Sequence, residues 1–204
     1  MSLSNAEIGS LISLSGCGKI PLTGGPSTNL KSTIAQTMPF EIAGSNNSVI
    51  SPSTGVMNLT AILIPGGQTI ANINFISSAS VSVGGTHLWF ALYDDGRGSS
   101  SAGQLALLGQ TNDNGGNMGG NVGLSLLTPY TTTYSGIYFL GFMCTAATQM
   151  PQLAGSARNG TATIQVSPYV TFSSGTAGSG LTNQAPNPSG AVTSNASNIY
   201  AYIS

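Results

Sequence analysis

From residue 55 onward, short apolar runs alternate with clusters of Gly, Pro, Asn and Ser. The run 55–64 is a strand candidate that stops at Pro65-Gly66-Gly67, a strong turn signal. Next come 69–76, with Ile70, Ile73 and Phe75 apolar, and 80–83, which leads through Gly84-Gly85 into 88–93. In that last run Leu88, Phe90 and Leu92 point one way while Trp89, Ala91 and Tyr93 point the other. Both faces are apolar, as a strand covered on both sides requires. The run 134–144 repeats the arrangement, with Ile137, Phe139 and Met143 alternating with Tyr138, Leu140 and Phe142. These two runs predict the centre of the core: Leu88, Trp89, Phe90, Leu92, Tyr93, Ile137, Tyr138, Phe139, Leu140 and Phe142.

Further strands are expected at 105–108, 122–127 (preceding Pro129), 161–166, 169–172 and 199–203. Between them lie polar loops at 94–103, 112–121 and 149–155, and a long Ser/Gly/Asn/Pro-rich loop at 173–198 before the closing strand. Strands this short, with turn signals between them, predict an all-β protein, an antiparallel jelly-roll-like β-sandwich over 36–204. No fixed-period repeat points to a propeller or β-helix. Residues 1–35 break the pattern. Leu3, Ile8, Leu11, Ile12 and Leu14 have the spacing of one short amphipathic helix capped by Ser4 or Asn5, and the stretch beyond Gly16 is irregular. Such a segment cannot cover its own apolar groups, so it reads as an extended N-terminal arm ordered on a neighbouring subunit. The competing reading is a disordered tail.

Composition sharpens this picture. The chain has 204 residues and 40% hydrophobic content, enough for one sizeable core. Only 4% of it is charged, against roughly 25% in ordinary soluble proteins. Lys19, Lys31, Arg97 and Arg158 stand against Glu7, Glu41, Asp94, Asp95 and Asp113, for a net charge of −1. The surface must be coated with Ser, Thr, Asn, Gln and Gly, which suits a subunit of an assembly better than a freely diffusing enzyme. Scattered cations argue against direct nucleic-acid binding. No apolar run is long enough to span a membrane as a helix. Without a basic and then apolar leader, assembly in the cytoplasm is expected. There a bridge between Cys17 and Cys144 is disfavoured.

Chemistry has little to work with. His87 is the only histidine, so a Ser-His-Asp triad would need it as base. At the start of a central strand, a hydrogen-bonded structural role is the stronger expectation. Asp94 and Asp95 would bind Ca²⁺ with Asp113 and Asn112 or Asn114 only if their loops met; the competing reading is solvated turn residues. The glycine-rich loops lack the Lys and following helix of a phosphate cradle. Sequons at Asn46, Asn58, Asn159 and Asn195 carry no weight in so Asn/Ser/Thr-rich a chain. A non-enzymatic protein without cofactor or metal is expected.

The order 55–64, Pro65-Gly-Gly, 70–76, Leu88-Trp-Phe-Ala-Leu-Tyr-Asp94, 105–108, Pro129-Tyr-Thr-Thr-Thr-Tyr-Ser-Gly-Ile-Tyr138 and Met150-Pro-Gln-Leu153 resembles virion structural proteins of tailed bacteriophages infecting actinobacteria. The likeness spans about residues 36–204 and implies jelly-roll domains in capsid-associated or minor tail proteins, commonly as homotrimers. It carries two expectations. The first is a capsid decoration or minor capsid protein of the virion, its arm apolars Leu3, Ile8, Leu11, Ile12 and Leu14 contacting the major capsid protein, another virion protein or a neighbouring subunit. The second is a minor tail or tail-fibre protein whose loops 94–103 and 112–121 bind host surface glycans.

Overall fold

A computed structural model describes residues 33–37, 49–77, 81–95, 103–115, 118–157 and 174–204. The described residues form strands joined by turns and loops, with no helix among them. In chain order the strands are β1 (Ala35–Gln36), β2 (Val49–Ile50), β3 (Met57–Ile64), β4 (Thr69–Ile76), β5 (Val83–Tyr93), β6 (Leu107–Gln110) and β7 (Asn121–Thr131). They continue as β8 (Gly136–Gln149), β9 (Leu153–Ala157), β10 (Ser174–Ala177), β11 (Val192–Ser194), β12 (Ser197–Ile199) and β13 (Ala201–Ile203).

All pairings are antiparallel. A six-stranded sheet runs β11-β10-β3-β8-β5-β6, a four-stranded sheet β1-β13-β4-β7, and a small one β12-β9-β2. The two double-sided runs of the sequence are therefore neighbours at the heart of the larger sheet, with Phe90 opposite Phe142 and Leu92 opposite Leu140.

The inner face of that sheet meets the four-stranded sheet. Ile62, Ile64, Leu88, Phe90, Leu92, Tyr138, Leu140, Phe142 and Cys144 pack there with Ile70, Ile73 and Phe75 of β4 and with Ala201 and Ile203 of β13. Phe75 crosses between the sheets to sit 4.8 Å from Phe90 and 5.3 Å from Phe142. Burying each such ring contributes roughly 1.5–3 kcal/mol. The closing strand predicted at the C-terminus lies inside the four-stranded sheet, between β1 and β4.

Several expectations change. Gly84-Gly85 does not separate two strands: β5 continues through the pair, absorbing register shifts between Val83 and His87. The strand expected at 122–127 runs on past Pro129 to Thr131, because Leu126–Pro129 steps out of the β4 ladder between the pairs Ile70–Tyr130 and Asn72–Ser125. A proline is tolerated where the ladder needs no N–H. The expected loop 149–155 carries the start of β9, and the expected long loop 173–198 carries β10, β11 and most of β12. Strands expected at 161–166 and 169–172 lie outside the described residues.

Candidate functional site

The outer face of the six-stranded sheet is as apolar as the inner one. Trp89, Ala91 and Tyr93 form one buried cluster there with Met57, Leu59, Phe139 and Met143. Ile137, expected in the core, is only partly buried against it; the other nine expected core residues are completely buried.

What covers this face is a segment between β10 and β11, residues 178–191, with no apolar period of its own. It is sewn down by hydrogen bonds. The Leu181 N–H donates to the Gly55 carbonyl at 2.9 Å and Ser189 to that of Leu105 at 2.9 Å. From beneath, the Trp89 indole N–H donates to the Thr182 carbonyl at 2.6 Å, and the Tyr93 hydroxyl donates to that of Pro186 at 2.8 Å. Both polar tips would otherwise be stranded in apolar surroundings. Burial pushes the Tyr93 phenol far above its ordinary pKa. Gly178 (φ 69°) and Gly190 (φ 80°) give the chain left-handed turns near either end of the cover.

Two amides lock the cover to the sheet edge in opposite senses. The Leu107 N–H of β6 donates to Asn187 Oδ1 of the cover at 3.3 Å. The Ala185 N–H of the cover donates to Gln110 Oε1 of β6 at 2.9 Å. Between them lies an open hollow of about 540 Å³, lined also by Leu181, Thr182, Gln184 and Pro186. No charged side chain among the described residues lines it.

His87 is hydrogen-bonded, with Nδ1 2.5 Å from Asp113 Oδ2. Asp113 Oδ1 also accepts the backbone N–H groups of Leu88 (2.9 Å) and Gly115 (3.0 Å). Burial pulls the Asp113 pKa up, but the His87 bond, these two N–H bonds and the His87 charge together hold its carboxyl below the usual range. Asp113 thus pins the chain after β6 alongside β5.

The structure does not bring Asp94 and Asp95 to Asp113. They follow Tyr93, roughly 20 Å along the strand from Leu88. Nor are they solvated turn residues, since both are buried. Asp94 Oδ1 accepts the Ala106 N–H at 2.9 Å, and the Tyr134 hydroxyl donates to Asp95 Oδ1 at 3.3 Å. Among the described residues no group of three or more His, Cys, Asp or Glu gathers.

All four Lys and Arg residues, and both Glu, lie outside the described residues. Of the three described carboxylates, those of Asp94 and Asp95 are buried and that of Asp113 is paired with His87. The arm apolars Leu3, Ile8, Leu11, Ile12 and Leu14 also lie outside, as does Cys17. Cys144 is a buried free thiol, its pKa pushed up to about 11 by burial. The chain enters the described part at the edge of the four-stranded sheet, where the Ile34 N–H donates to the Ile203 carbonyl at 2.8 Å.

Sequence reasoning missed the cover and its hollow. A usable signal existed: two strands apolar on both faces, one carrying an indole N–H, demand a second layer with carbonyls to offer. Comparison with protein-family models and with curated protein sequences yields no match.

Proposed function

We propose that this chain is a non-enzymatic structural protein of a virion, a jelly-roll-like β-sandwich that decorates or completes a capsid shell as a homotrimer. Residues 1–35 serve as the arm that grips the shell, through Leu3, Ile8, Leu11, Ile12 and Leu14. The observation that carries the reading is the pairing of a core filled on both faces of a sheet with a chain of which only 4% is charged. A freely diffusing protein is normally kept apart from its copies by surface charge. A subunit held in a fixed array has no such need.

Binding only the assembled shell stabilises it by mass action. Three linked copies act together through effective concentration. Deleting residues 2–30 tests the reading. The truncated chain should fold, judged by near-UV circular dichroism, yet lose co-sedimentation with shells from the source culture. Undiminished co-sedimentation would remove the arm from the account. Absence of the full chain from purified particles by mass spectrometry would remove the virion role itself.

A further inference from the structure

We propose that the hollow between β6 and the cover is a binding site for a neutral saccharide. Its volume, about 540 Å³, falls within the roughly 300–1,000 Å³ of small-ligand sites. Its open shape suits part of a chain of sugar rings rather than an enclosed monosaccharide.

The chemistry of the lining selects the class. Each of the two locking amides has its oxygen committed to a backbone N–H: Asn187 to Leu107, Gln110 to Ala185. An N–H donor can face only the oxygen, so both side-chain orientations are settled. Each NH₂ is left without a partner among the described residues, and both residues line the same hollow. Gln184 adds a complete exposed amide, able to donate and accept. Leu107, Leu181 and Pro186 supply apolar surface for the C–H faces of pyranose rings. No described lining residue carries charge, so among the described residues neither a phosphate nor a carboxylate finds a counter-ion. Fixed neutral donors beside small apolar patches match an uncharged polyol. Holding the donors in advance also lowers the ordering cost of binding.

This inference is independent of the shell-binding reading, because it uses neither the arm nor the trimer. Trp89, the only tryptophan, donates to the carbonyl of Thr182, a residue that lines the hollow. Its emission therefore reports the site.

The test titrates the full chain with neutral trisaccharides of glucose, galactose and mannose, and with an acidic uronic-acid trisaccharide. Trp89 fluorescence and saturation-transfer NMR are read together. At least one neutral sugar should bind saturably, with Kd on the order of 1 mM, and the acidic one more weakly. The variants Gln110→Glu and Asn187→Asp keep the oxygens that lock the cover and remove the unpartnered NH₂ groups. Each should leave unliganded Trp89 emission unchanged and weaken binding at least about tenfold. Gln184→Ala, whose side chain makes no bond among the described residues, should weaken binding without altering the melting temperature. The proposal is overturned by silence in both readouts for every neutral sugar. Equal or tighter binding of the acidic sugar, or undiminished binding by all three variants, overturns it too.

Discussion

The two faces of the six-stranded sheet bury similar side chains under different covers. The inner face, with Phe90 and Phe142, is closed by a second sheet that contributes its own apolar rows from β4 and β13. The outer face, with Trp89 and Tyr93, is closed by a segment of Gly, Thr, Asn, Gln and Pro that contributes little more than Leu181 and Ala185. On the inside, stability comes from packing that reaches equally from both layers. On the outside, the sheet supplies the apolar surface, and the cover supplies carbonyls and amides for the polar tips beneath it. The outer layer should therefore open more readily than the inner one.

The largest expected effect lies on the inner face. Phe142→Ala removes the ring that Phe75 and Phe90 both touch. Urea unfolding should show a loss of about 3–5 kcal/mol, with all probes moving together. A loss below about 1 kcal/mol would mean that the inner layer relaxes as freely as the outer one.

An intermediate effect is expected where the chain after β6 is pinned. Asp113→Ala removes the acceptor of the Leu88 and Gly115 N–H groups together with the His87 partner. The expected loss is about 1–3 kcal/mol at neutral pH. The pH dependence has a defined sign. The folded carboxyl lies below its ordinary value, so its contribution is fully present above about pH 4. It fades as pH falls through the folded pKa. Urea midpoints should converge for wild type and Asp113→Ala in acid and separate above that range. A difference between the two that did not shrink in acid would assign the loss to packing.

Much of the inner layer was legible in the sequence and little of the outer cover was, for a physical reason. Alternation in 88–93 and 137–143 marks side chains that pack, and packing produces a period. β4 was placed at its observed bounds, 69–76, on the strength of Ile70, Ile73 and Phe75. β10 joins the sheet through Ser174, Gly175, Thr176 and Ala177 opposite Thr60, Leu59, Asn58 and Met57. Side chains that small leave no hydrophobic signature, and backbone hydrogen bonding alone leaves none at all. The hollow was illegible for a related reason: Gln110 and Asn187 are distant in sequence and act through backbone groups that any residue carries.

A smaller effect separates the two layers more cleanly. Tyr93→Phe deletes only the hydroxyl bonded to the Pro186 carbonyl. It should lower stability by about 0.5–1.5 kcal/mol. It should also raise amide exchange at Leu181 and Ala185, whose N–H groups bond Gly55 and Gln110. Unchanged exchange at those two amides would mean that the cover does not depend on this bond.

The smallest signal is the most discriminating. Cys144 packs in the inner cluster, and burial pushes its thiol up to about 11, so little thiolate exists at neutral pH and none is accessible. In a Cys17→Ser background, its reaction with an aromatic disulfide reagent should require global unfolding. Its rate should then rise with low urea along the slope of the equilibrium transition. Exchange at Ala185 should rise less steeply over the same range, because opening the cover exposes the outer cluster alone. If Cys144 labelling rose no more steeply than that exchange, the second sheet would be opening on its own, and the contrast between the two faces would disappear.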